Sequence, residues 1–286
     1  MITLHILDSK EPPITIKPTI FPDKTSQVWK IGDFEKYNDE RVVISWYWEE
    51  ESELIWVNQL ICLLYQNNAS VYELYIPYLP YGRQDKGITN ETTFAKEVFL
   101  EILLKEHVLN LTTLDAHSHH RAISQYDSFT LINKAYRLSG ARAVVFPDKG
   151  AYDRYSKLLA WTEDIIVLDK VRNQLTGKIE SICVNKEYST ISSDMPIKLL
   201  IIDDISDYGG TFKQAAKVLR ELYPNIVDIS LYVTHFLGHG GVDSFTEAGI
   251  SKIFTSNSLD AYRTRYNLND DRILTIGERN ESPNAK

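Results

Sequence analysis

The sequence predicts an α/β protein of two domains, each built on a mainly parallel sheet flanked by helices. Three observations carry this expectation. Apolar strand-like runs alternate with segments whose apolar residues repeat at helical spacing, the pattern of strand–helix–strand crossovers. The run Leu199–Ile202 is continuously apolar, as suits a strand covered on both faces. The alternation occurs twice, once before about residue 140 and once after it.

In chain order, strands are expected at Ile2–Leu7, Arg41–Tyr47, Val71–Ile76, Asn110–Leu114, Ala143–Phe146, Ile165–Leu168, Lys198–Ile202, Asp228–Val233 and Lys252–Phe254. Helical spacing relates Leu54, Val57, Ile61 and Leu64, and again Phe94, Val98, Phe99, Ile102 and Leu103. A third amphipathic segment places Phe212, Ala215, Ala216, Leu219 and Leu222 on one face. Trp46 and Trp48 sit two apart at a strand end, so both pack on one face. The polar, Ser-rich stretch Asn185–Pro196 reads as a hairpin or loop, and the tail 280–286 as frayed. The expected domains are 1–138 and 139–286, with the C-terminal end able to pack back on the first.

At 286 residues the chain can bury a sizeable core. It carries 31 Lys and Arg against 39 Asp and Glu, a formal net charge of −8, which gives no global attraction to nucleic acid or anionic membrane. No apolar run is long enough to span a bilayer, and the first residues lack the basic start and apolar core of a signal peptide. A cytoplasmic protein with no nucleic-acid or membrane partner is therefore expected. Cys62 and Cys183 both lie inside apolar patterns and read as two buried, reduced thiols.

The segment Lys198–Thr211 carries the chemistry. An apolar run ends in Asp203 and Asp204, then Ile205, Ser206, Asp207, Tyr208, Gly209, Gly210 and Thr211 lead into the third amphipathic segment. Adjacent carboxylates can accept hydrogen bonds from vicinal hydroxyls. Backbone N–H groups of a glycine turn and a helix N-terminus point at an anion. Together they make a holder for a sugar phosphate. A second segment, Ile76–Lys86, contains Arg83, which can form a bidentate pair with phosphate, and Gln84, whose amide suits a nucleotide. Asp148 follows a strand and precedes Lys149 and Gly150, a helix N-cap position. Lys170 and Arg172 are closely spaced just after a strand.

Asp203–Thr211 resembles the phosphoribosyl pyrophosphate binding motif, shared by phosphoribosyltransferases and ribose-phosphate pyrophosphokinases. The Arg83-Gln84 segment resembles one that the pyrophosphokinases alone possess, for ATP. Further likenesses to that family follow in order. Phe21-Pro22-Asp23 resembles a segment that contacts adenine, often across a subunit interface; the family's next Gly and Glu are Lys24 and Thr25 here. Leu114-Asp115-Ala116-His117 resembles the segment whose His binds the magnesium of MgATP, with His119 and His120 solvated. Pro147-Asp148-Lys149-Gly150-Ala151 resembles a turn whose Asp helps hold a second metal. Lys170-Val171-Arg172 resembles the root of a mobile catalytic loop.

The resemblance implies two type I phosphoribosyltransferase-like domains, the first for ATP and the subunit interface, the second for ribose phosphate. The active site would lie at the carboxyl ends of strands. It implies a diphosphotransferase that uses Mg2+ and ATP, moves the diphosphoryl group to the anomeric hydroxyl of a ribose 5-phosphate moiety, and works as a homo-oligomer, a dimer or hexamer. Arg83, Gln84, His117, Phe21 and Asp23 would serve ATP. Asp203, Asp204 and Asp207 to Thr211 would hold the ribose phosphate, and Lys170 and Arg172 the transition state. Tyr208 stands where the family usually has Thr, and Asn257-Ser258 where it has Asp-Thr. A 5-substituted acceptor such as ADP-ribose is therefore an alternative. A phosphoribosyltransferase and an inactive synthetase-associated regulatory subunit are the others.

Overall fold

Continuous apolar runs make the central strands. The computed structural model describes residues 1–29, 31–85, 91–103, 107–159, 164–172, 179–190 and 197–277; at 158–159, 171–172 and 179–181 it describes backbone alone. Lys86, residues 191–196 and the tail 280–286 lie outside the described residues. All nine expected strand runs are strands. Two compact units result.

The first unit comprises Met1–Tyr126 with Ser258–Arg265. Its strands are β1 (Ile2–Ile6), β2 (Ile14–Ile16), the hairpin β3 (Thr19–Ile20) and β4 (Ser26–Gln27), β5 (Arg41–Trp46), β6 (Ser70–Tyr75), β7 (Val108–Leu114) and β8 (Ser124–Tyr126). The main sheet runs β2-β1-β5-β6-β7-β8. Neighbours from β5 to β8 pair in parallel, whereas β1 is antiparallel to both β2 and β5. Helix α1 (Glu53–Gln66) links β5 to β6, and α2 (Ala95–Leu103) precedes β7. One apolar core joins Leu4, Ile44, Trp46 and Leu74 of the sheet to Val57, Leu60 and Leu64 of α1 and Phe99, Leu100 and Leu103 of α2. Trp46 and Trp48 lie 5.4 Å apart between ring centroids, and both pack on Phe99, as their spacing predicted.

The second unit comprises Asp127–Asn257 with residues 266–277. It begins with α3 (Phe129–Ser139), which Gly140 ends at φ +63° in the left-handed conformation common at helix ends. There follow β9 (Ala143–Phe146), α4 (Lys149–Tyr155), β10 (Ile165–Arg172), β11 (Ile179–Val184), β12 (Ile197–Ser206), α5 (Gly210–Leu222), β13 (Ile226–Phe236), α6 (Val242–Glu247) and β14 (Lys252–Thr255). The chain then gives α7 (Asp260–Arg265) to the first unit and returns as β15 (Ile273–Thr275). The sheet runs β11-β10-β9-β12-β13-β14-β15, parallel except for β11. Along β12, Leu199 and Ile201 join Phe212, Ala215 and Leu219 of α5, while Leu200 and Ile202 join Ile132 of α3 and Tyr155 of α4. Both faces are covered, which is why this strand has no polar alternation until its last residues. Among the described residues no helix is long and apolar enough to cross a membrane.

Three expectations are corrected. Cys62 and Cys183 are exposed, not buried. Cys62 follows Ile55 by seven residues on the outer side of α1, and Cys183 alternates with the buried Ile182. The apolar side of α2 is Phe99, Leu100 and Leu103, because the helix starts at Ala95; Phe94 and Val98 are exposed. Leu222 at the end of α5 is also exposed, and Tyr223 packs against the core in its stead.

Candidate active site

The second unit collects most of the predicted side chains at one edge. From β9 the chain steps to β10 on one side, and β12 lies on the other, so the order reverses between β9 and β12. In parallel sheets such a switch leaves a crevice at the carboxyl ends of the strands. The pairing of β12 with β9 ends at Ile201 and Val145, and β12 continues to Ser206. Asp203 and Asp204 stand on this overhang, Asp148 follows β9 after Pro147, and Lys170 lies on the continuation of β10.

These residues form a charged network. The Lys170 ammonium is 2.7 Å from Oδ2 of Asp148. Oδ1 of Asp148 accepts the Ala151 N–H at 3.0 Å, so the same carboxylate caps α4. Arg154, one turn further along α4, places Nη1 3.0 Å from Oδ2 of the buried Asp204. Asp203 accepts the Asp204 N–H through Oδ1 at 2.9 Å. Burial raises the Asp148 pKa, but the Lys170 hydrogen bond and charge and the Ala151 N–H outweigh it and hold the carboxyl below its ordinary range. Burial, then the neighbouring Asp204 and Asp148, push the Asp203 carboxyl well above its ordinary range. Three carboxyl groups thus meet two cations. Sequence reasoning missed Arg154; the only signal was its place on the helix that Asp148 caps. Arg172 ends β10 and is described in backbone only.

The turn after β12 has the geometry of an anion holder. Gly209 has φ +73°, and a Cβ there would lie 2.0 Å from Cζ of the core residue Phe245, so only glycine fits. Gly210 begins α5, a helix of 13 residues, and the first-turn N–H groups of a helix have no partner within it. His239, on the loop after β13, places Nδ1 2.5 Å from Oδ1 of Asp207. The Tyr208 side chain, 66% exposed, lies beside the His239 ring at 5.7 Å between centroids. Gly240 supports this lip: a Cβ there would meet the Tyr208 carbonyl oxygen at 2.4 Å. Nothing in the sequence linked His239 to Asp207, 32 residues away.

In the first unit, Arg83 and Gln84 are exposed on the turn after β6, and His117 is exposed after β7. The two turns abut: a Cβ on Gly82 would lie 3.9 Å from Cβ of His117. Both contain strained backbone, Tyr81 at φ +61° and Asp115 at φ +45°. Tyr81 is anchored by Trp48 and Phe99 and by a hydrogen bond to Glu51; burial and Glu51 push its hydroxyl up to about 12. His119 is exposed, but His120 is half-buried, with Nε2 3.4 Å from Glu97, which corrects its expected solvation. Phe21 and Asp23 occupy the separate β3–β4 hairpin, which α1 anchors through Trp56 and Gln59. Asp23 accepts from the N–H and hydroxyl of Thr25, which hold its carboxyl below the ordinary range.

The chain matches no protein-family model. Curated relatives span nearly its whole length. It is 25% identical over 258 residues to a ribose-phosphate pyrophosphokinase of Sulfolobus acidocaldarius, covering 86% of this chain and 85% of that one. It is 25% identical over 266 residues to one of Methanobrevibacter smithii, covering 87% of each. Among solved structures, phosphoribosylpyrophosphate synthetase from Mycobacterium smegmatis superposes with a TM-score of 0.71 at 17% identity, over 92% of this chain and 86% of that one. Two mainly parallel sheets flanked by helices, with carboxylates and a glycine turn at the carboxyl edge of the second, define a protein of the type I phosphoribosyltransferase fold class. Over nearly its whole length the chain is similar to ribose-phosphate pyrophosphokinases, the family its motifs resemble.

Proposed function

We propose that the protein transfers the β,γ-diphosphoryl group of MgATP to the anomeric hydroxyl of a ribose 5-phosphate moiety, releasing AMP. The observation that carries this reading is the joining of Asp148, Lys170, Asp203, Asp204 and Arg154 into one network beside the Asp207–Thr211 turn. In the reaction the anomeric oxygen bonds to the β-phosphorus and the bond from that phosphorus to the α,β-bridging oxygen breaks. AMP keeps the bridging oxygen, and the hydroxyl proton passes to water. The turn and the N-terminus of α5 hold the 5-phosphate through backbone N–H groups. Asp203 and Asp204 accept from the ribose hydroxyls, with Arg154 fixing Asp204. Lys170 and Arg172 supply positive charge where the transition state spreads negative charge. Arg83 and Gln84 orient the triphosphate, and Phe21 and Asp23 serve the adenine of a neighbouring subunit in a homo-oligomer.

Among the described residues no three ligating side chains converge on a metal position. Magnesium usually keeps waters and takes one or two protein ligands beside substrate phosphates. His117 would hold the magnesium of MgATP and Asp148 would help hold a second metal; each ion, bound there, would neutralise phosphate charge.

Substituting Lys170 by Ala should collapse AMP release while MgATP binding persists. Unchanged turnover would refute the role given to Lys170. Asp148→Asn should keep the α4 cap but lose the Lys170 ion pair, so turnover should fall while the melting temperature drops only modestly. A second reading, with a 5-substituted acceptor such as ADP-ribose, is favoured by the exposed Tyr208 ring beside His239 at the phosphate turn. A phenol and an imidazole there can line a larger 5-group. Incubation with MgATP and each acceptor, with AMP measured, decides between them: turnover of ribose 5-phosphate alone at ordinary rates sinks the enlarged acceptor.

A further inference from the structure

We propose that Lys96 is a positioning residue for the nucleotide site, fastening the segment that carries His117 to the helix that follows Arg83 and Gln84. The inference rests on the reading of those three residues as ATP ligands. Lys96 is 2% exposed and is the second residue of α2. Two costs attend that position: an ammonium is removed from water, and it sits at the positive end of a helix. Packing alone would be served by Met or Leu. The ammonium donates to Ser118 Oγ at 2.7 Å and to the Ser118 carbonyl at 3.3 Å. The Lys96 backbone N–H reaches the Gln84 carbonyl at 3.4 Å. One residue thus touches both turns.

Its neighbour does related work. Glu97 approaches Nε2 of His120, whose Nδ1 accepts the Ala122 N–H, so Nε2 carries the proton that faces the carboxylate. Two consecutive residues of one helical turn therefore hold Ser118 and His120, on either side of His119 and directly after His117. The segment starts from a strained backbone at Asp115 and runs beside the Arg83 turn at Gly82. An exposed imidazole on such a segment keeps its place relative to Arg83 only if the segment is tied down, and Lys96 is the tie that also bonds the Gln84 turn.

The test uses the full chain with Lys96→Met, Lys96→Arg and Ser118→Ala. AMP release is followed with MgATP varied at saturating acceptor and with the acceptor varied at saturating MgATP, and MgATP binding is measured by calorimetry. In Lys96→Met the KM and Kd for MgATP should rise roughly tenfold, with the acceptor KM changed less than about twofold. Lys96→Arg should recover part of the loss, and Ser118→Ala should shift the same constants in the same direction. An unchanged MgATP constant, or an equal rise for both substrates, overturns the proposal. If Lys96→Met fails to fold, Ser118→Ala decides on the same terms. A wild-type chain that binds MgATP without releasing AMP defeats the proposed reaction, while the Kd comparison still judges Lys96. A wild-type chain that binds no MgATP defeats both.

Discussion

Asp148 serves two neighbours with one side chain: one oxygen caps α4 and the other meets Lys170. From the sequence alone the cap and the metal-site reading could both apply to it. Arg154 and His239 were illegible because their partners lie 50 and 32 residues away, and no local pattern encodes such pairs. Asp203 yields a prediction at this scale. Burial and Asp204 raise its folded pKa above that of an unfolded aspartate. In metal-free protein its contribution to stability is therefore full below about pH 4 and is lost as pH rises toward the folded pKa. Asp203→Asn is neutral throughout. The stability of the variant relative to wild type should be greatest near neutral pH and shrink as pH falls to about 4, read from melting temperatures in chelator. A difference that does not vary with pH would count against the raised pKa.

Elements were legible where burial imposes a pattern. β12 is covered on both faces and reads as an unbroken apolar run; α1 has one buried side and reads at helical spacing. The short strands β2, β8 and β15 have three residues each, too few to show a period. Helix α7, six residues with the buried Arg263, hid for the same reason. The turn between β12 and α5 read as a pair of glycines, but the two differ physically. Gly209→Ala meets Phe245 and a left-handed backbone, so it should cost at least about 2 kcal/mol and abolish phosphate binding. Gly210 has nothing within 4 Å of a built Cβ and lies in the first turn of α5. Gly210→Ala should stabilise by about 0.5–1 kcal/mol. Melting curves of the two variants test this; equal shifts would contradict the distinction.

For the whole chain, the order of short motifs from Phe21 to Phe254 pointed to the family, although each motif alone was weak. What composition and period did not reveal is the route of the chain. Residues 258–265 leave the second unit to join the first, where Arg265 reaches Glu50 at 2.7 Å. Stepwise hydrogen exchange in denaturant should find the α7 amides losing protection together with β5 and β6. Loss together with β13 and β14 would contradict the assignment. This route also sets a schedule for synthesis. A nascent chain can assemble the sheet of the first unit once β8 has emerged, but the piece that completes that unit is made only after β9 to β14. At ~5–20 residues per second the incomplete first unit must wait on the order of ten seconds for it. A ribosome stalled between β9 and α7 therefore presents a first unit that is folded in outline and still short of its last helix.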